Sequence, residues 1–268
     1  MKSYQPSNKV PLGGVILLIL STLIGLLVGK SIFAASRSIE VGIIYPIIIG
    51  AIGTGIISLT VKAGKVRNPV LASFFGFIFG ILAYGGTHYF RYLAWPQADQ
   101  HNIFEYLALR AREGMVIRVR DGRLVSLSPF FTWVYWFLEL AIASGSPMVG
   151  GFICARQPFS EQRNQWYGKG KYLGSISVDQ IEEFKRLVQI GDFVRVGAML
   201  TEDMAFPNIS IYLQAWENDP ADDAFFSANR LSARTKGDVV HQPILSGLIS
   251  PAQVSELMQG ISAGKMKT

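Results

Sequence analysis

The chain has 268 residues, half of them hydrophobic and only 16% charged, with a formal net charge of +6. A soluble domain usually carries about 25% charge, so the charge-poor first half does not read as an ordinary water-soluble fold. Cys154 is the only cysteine, which excludes an intramolecular disulfide and a cysteine-based zinc site.

Lys2 and Lys9 precede an apolar run from Leu12 to Gly29. This resembles a signal peptide, with Phe33-Ala34-Ala35-Ser36 as a weak cleavage site. At 18 residues the run exceeds the usual apolar core of such peptides, which is about 7–15 residues. It reads as a retained first span, extending toward Ala35 if Lys30 snorkels. A second span covers Val41–Val61, 21 residues without a charge, and a third covers Asn68–Phe90, 23 residues without a charge. A hydrocarbon core about 30 Å thick needs roughly 20 apolar residues in a helix. Backbone groups in lipid must be satisfied within the segment, so these runs are expected to be helical. Small residues at i, i+4 mark candidate packing faces: Gly25 and Gly29, Ala51 and Gly55, Gly76 and Gly80.

Residues 91–129 read as a helix plus a hairpin loop module. Asn102 to Leu107 starts a helix that Gly114 can close. Asp121-Gly122 between Met115–Arg120 and Arg123–Ser128 is a hairpin signal, with Val119 and Leu124 on one face and Arg120 and Arg123 on the other. A fourth span is placed at Phe130–Ile153, with aromatic residues at its start and Glu139 as its only charge. Ser144-Gly145-Ser146-Pro147 is expected to kink or end that helix. The rival reading leaves three spans and makes this stretch a buried or interfacial segment.

Residues 156–268 read as a soluble α+β domain. Ser177 caps a helix to about Ile190, Phe193–Leu200 reads as a strand, and Asn208–Trp216 as a second. Val239–Leu245 is a third, with Pro243 confining it to an edge. Ser250-Pro251 opens a last helix, and Lys265–Thr268 is a basic tail. Glu105, Gly114, Arg118, Val119 and Tyr135 recur 77 residues later as Glu182, Gly191, Arg195, Val196 and Tyr212. That spacing raises a duplication of 102–139 as 179–217, which would turn Thr132–Glu139 into a strand. The fold class expected is thus an α-helical membrane protein of about four spans with a soluble C-terminal α+β domain.

Lys62, Lys65 and Arg67 crowd a six-residue loop that lacks an acid. The positive-inside rule puts that loop, the N-terminus and the C-terminal domain in the cytoplasm of a multi-pass cell-membrane protein. The six arginines between Arg91 and Arg123 run against that orientation.

Glu139 would lie near mid-membrane, where a lone carboxylate costs a few kcal/mol. It must be protonated, face other helices, or pair with a cation such as Arg91, Lys30 or His88. Glu139 and His88 are therefore the candidate intramembrane polar site. His101 and His241 lie in no metal-ligand spacing, and Asp219, Asp222 and Asp223 match no EF-hand loop. No metal, cofactor or nucleic acid is expected, and no catalytic residue is identified. Gly168-Lys169-Gly170-Lys171 is not a phosphate-binding loop, and the nucleophile elbow, HExxH and dinucleotide signatures are absent. These points favour a non-enzymatic anchor, assembly or regulatory component whose soluble domain binds another protein. Its partners would be the bilayer and either a protein or a second copy. The alternatives are a small transporter or channel subunit using Glu139 and His88, or a membrane enzyme acting on a lipid-linked substrate with Glu139, His88 and Arg118.

Overall fold

A computed structural model of the chain describes residues 1–37, 44–114, 116–118, 124–202, 205–215, 223–233 and 239–265. It divides into two compact units, Pro6–Gln157 and Met1–Gln5 with Pro158–Thr268. The chain opens with strand β1 (Lys2–Ser3), which belongs to the second unit.

The first unit is built on α1 (Leu12–Ser36), α2 (Ile44–Ala63), α3 (Pro69–Leu93) and α5 (Pro129–Ala155), with the short α4 (Ile103–Glu113) between the last two. The four long helices are long and apolar enough to cross a membrane. Asn68 caps α3 by accepting from the Leu71 N–H at 2.9 Å, and Pro69 occupies the first turn, where a missing N–H costs nothing. Asn102 and Glu105 form a reciprocal capping box at α4, and Gly114 at φ +76° ends it. Strands β2 (Val116–Arg118) and β3 (Leu124–Ser126) pair antiparallel. The Asp121-Gly122 turn, Val119, Arg120 and Arg123 lie outside the described residues.

The bundle is inside-out relative to a soluble one. Along α1, Leu12 is 77% and Leu27 64% exposed, while Gly14, Gly25 and Gly29 are buried. Small residues make the helix contacts because only they let backbones meet. A Cβ on Gly25 would lie 2.8 Å from the Phe79 carbonyl oxygen, and one on Gly151 would lie 2.7 Å from that of Ala72. Gly76 faces the Pro147 carbonyl, and Gly80 faces Ser144. These pairings make α1 parallel to α3 and α3 antiparallel to α5.

Helix α5 continues through Pro147 to Ala155, so Ser144–Pro147 does not end it. Ser144 and Ser146 donate to the Leu140 and Ile142 carbonyls at 2.6 and 3.0 Å. Serine bonding of this kind, with close neighbouring backbone, is how an apolar helix tolerates proline.

The second unit holds the hairpin β4 (Phe159–Ser160) and β5 (Gln165–Trp166), then β6 (Lys171–Ser177), a 3₁₀ turn at Val178–Gln180, α6 (Ile181–Ile190) and α7 (Phe193–Ala198). It continues with β7 (Asn208–Gln214), β8 (Ala224–Ala233), β9 (Val239–Ile249) and α8 (Pro251–Lys265). The sheet is antiparallel in the order β1-β9-β8-β7-β6. Ile209, Ile211, Phe226 and Ala228 alternate onto one face, where Phe184, Val196 and Leu257 of the helices cover them.

Two expectations are corrected here, and one strand was missed. Phe193–Leu200 is not a strand: Asp192 caps a helix by accepting from the Arg195 N–H at 3.1 Å. Phe193, Val196 and Gly197 share its buried face, and Gly197 meets the Leu257 carbonyl of α8. Packing at helical spacing overrides the β preference of Phe and Val. Strand β8, central in the sheet, was not anticipated, because its small alanines and serines blur the alternation. The proposed duplication also fails to match: the strand at 116–118 corresponds to helix α7, and α5 corresponds to strand β7. Pro243 sits where β9 has β8 as its neighbour and β1 does not reach, beside a register shift. The tail beyond Lys265 lies outside the described residues, as do Asp219 and Asp222.

Candidate functional site

Glu139 stands ten residues into α5 and is 7% exposed. Its carboxylate faces α3, where the Tyr84 hydroxyl donates to Glu139 Oε2 at 2.8 Å. Tyr135 lies one turn earlier on α5, on the same face of that helix. A carboxyl oxygen accepts such bonds whether or not the group is ionised, so the arrangement holds in either state. None of the three cations considered from sequence forms an ion pair with Glu139 among the described residues. Lys30 sits instead over the Phe90 ring at 5.8 Å.

His88 follows Tyr84 by one turn on α3. Its ring meets Tyr84 edge-on at 4.8 Å and Trp136 of α5 at 5.3 Å, and Trp136 in turn meets Trp133 at 5.2 Å. Glu139 and His88 are therefore brought to one α3–α5 seam, joined through Tyr84. The sequence reading found these two and missed Tyr84, Tyr135 and Trp136. A signal was present for part of it: Tyr135 is four residues before Glu139, and Tyr84 is four before His88, so each pair shares a helix face. Which residues of α3 meet which of α5 had no signal in the sequence.

The other singled-out residues fall elsewhere. His101 belongs to an aromatic cap at the end of α3, stacked on Trp95 at 5.3 Å, while the Tyr92 hydroxyl reaches the Ala98 and His101 carbonyls at 2.8 Å each. His241 is exposed on β9. Cys154 is buried with its thiol 3.4 Å from the Ser58 carbonyl. The Asp223 carbonyl accepts from the Tyr167 hydroxyl at 2.8 Å. Arg118 enters only as a backbone position of β2. Gly25, Gly29, Gly76 and Gly80 lie at helix contacts, and the Thr87 hydroxyl reaches the Gly29 carbonyl at 3.2 Å. Ala51 and Gly55 face outward, and a Cβ on Gly55 would meet nothing within 4 Å. The close contacts of α2 use Gly50 and Gly53 instead.

Outside the bundle, the Glu183 carboxylate on α6 is held below its usual range, first by its hydrogen bond with Arg186, whose own charge that bond favours. Both groups are exposed, so the pair bears little on stability.

No family model, curated protein or solved structure matches this chain.

Proposed function

We propose that the four long helices cross a lipid bilayer and that the chain is a non-enzymatic, membrane-anchored component whose C-terminal unit docks another protein. The observation that carries this reading is the inside-out bundle: glycines meet at the helix contacts while leucine and isoleucine side chains are exposed. Exposed aliphatic surface on this scale is unfavourable in water and neutral in hydrocarbon. The polar groups of the α3–α5 seam bond to one another, which suits a structural clasp. The C-terminal unit closes its own hydrophobic core, which suits a module that works on a partner.

The N-terminal strand supports an even number of crossings. Lys2 and Ser3 pair with Leu248 and Gly247 of β9, so residues 1–5 and the C-terminal unit must share one side of the bilayer. An even number of crossings meets that condition. The positive loop after α2 favours the cytoplasm for that side of a cell membrane.

Carbonate-washed membranes test the anchor: recovery of the intact chain in the supernatant overturns it. In-membrane crosslinking followed by purification tests the docking role. A specific protein adduct, or a second copy, is expected; a chain recovered without any adduct across several reagents counts against it.

A transporter subunit is the second reading, favoured by Glu139 and His88 lying along one seam. Reconstituted proton or ion flux that is lost in Glu139→Gln would select it over the anchor.

A further inference from the structure

We infer that the groove between the C-terminal ends of α1 and α3 seats the phosphate headgroup of an anionic phospholipid. It is an open cavity of about 390 Å³ lined by Lys30, Phe33, Ala34, Arg37 and Phe90. Lys30 and Arg37 are seven residues apart, two helical turns, and so lie on one face of α1. Both are exposed, and neither forms an ion pair among the described residues. Lys30 is steered over the Phe90 ring at 5.8 Å, a geometry in which the ring face attracts the ammonium. This leaves its donors free for an anion.

Helix polarity opposes an anion here, since each helix C-terminus carries about −0.5 charge. Among the described residues, two termini supply about −1 against the +2 of Lys30 and Arg37, so the balance there is positive. Its other lining is apolar. An occupant matched to it carries a phosphate beside glycerol and acyl carbons, which a free inorganic anion lacks. Lys30 lies about 9 Å inside the end of α1, at the depth where a span meets headgroups. By the orientation proposed above, the groove opens at the headgroup layer on the side opposite the N-terminus, where its cations would draw anionic lipid of that leaflet.

The inference rests on the membrane reading. The purified full-length chain is reconstituted in phosphatidylcholine nanodiscs with and without phosphatidylglycerol, and retained lipid is read by native mass spectrometry. Enrichment of phosphatidylglycerol over its bulk share is expected. K30Q/R37Q should lose about fivefold in retention per cation, on the scale of surface cations near anionic lipid. K30R/R37K should keep it. Equal enrichment in K30Q/R37Q overturns the site, and so does a wild-type ratio equal to the bulk, a measurement that needs no variant to fold. Inorganic phosphate that displaces phosphatidylglycerol in full overturns the lipid as occupant. A chain that stays in membranes but fails these tests sinks this inference alone.

Discussion

Glu139 acts at the scale of a single hydrogen bond. Removing one partner of a buried pair leaves the other unsatisfied, at a cost of about 1–3 kcal/mol. Glu139→Leu and Tyr84→Phe should each lower thermal stability in detergent by an amount in that range. Glu139→Gln keeps an acceptor for Tyr84 and should cost far less. If the two residues act only through each other, Tyr84→Phe in a Glu139→Leu background adds little, and a double-mutant cycle reads the coupling directly. Strict additivity would deny the bond at 2.8 Å any energetic role. Glu139 and His88 could be singled out from the chain alone, because an ionisable residue in an apolar run is conspicuous. Tyr84 shares a helix face with His88, but nothing in the chain alone pointed it at Glu139, which lies on another helix.

Elements are held by backbone contact in both units. A Leu at Gly80 must displace the Ser144 backbone, whereas a Leu at Gly55 meets open space. Gly80→Leu should therefore cost about 3 kcal/mol or more by overpacking, and Gly55→Leu almost nothing in the isolated chain. Melting and size-exclusion profiles of the two variants check the contrast. In the C-terminal unit, Gly260 meets the Val194 carbonyl of α7 at similarly close range, so Gly260→Val should unseat α8. Protease sensitivity confined to residues after 250 would register it. The exposed Glu183–Arg186 pair on α6 sets a control. A depressed carboxyl pKa gives stability above the unfolded value that is lost as pH falls through the folded one. For so exposed a pair the effect is small, so the acid unfolding curves of wild type and Glu183→Gln should nearly coincide.

The whole molecule is tied by its first residues. Strand β1 adds to β9, and the Tyr4 ring meets Phe225 edge-on at 5.7 Å. Tyr4→Ala should lower the melting point of the C-terminal unit, with about 0.5–1.5 kcal/mol from the ring pair beyond lost area. Reporters fused at residue 1 and after Thr268 should label from the same side of the membrane. Opposite sides would mean an odd number of crossings and would contradict the strand pairing. The six arginines of 91–123 set charge against the proposed orientation, while the shared sheet of residues 2–3 and 247–248 bears on the parity of crossings alone.

Apolar run length and the scarcity of charge determined the long helices, since a run of this kind satisfies its backbone only by coiling on itself. Caps such as Asn102 with Glu105 were equally local, because both partners lie within one turn. Tertiary structure alone decided that Phe193–Ala198 is helical, that 224–233 is the central strand, and that Tyr84 holds Glu139. Each of these depends on a partner far along the chain: Gly260 under α7, β7 and β9 beside β8, α3 against α5. No pattern within a single segment encodes which distant surface it will meet, and there the contact energy outweighs local preference.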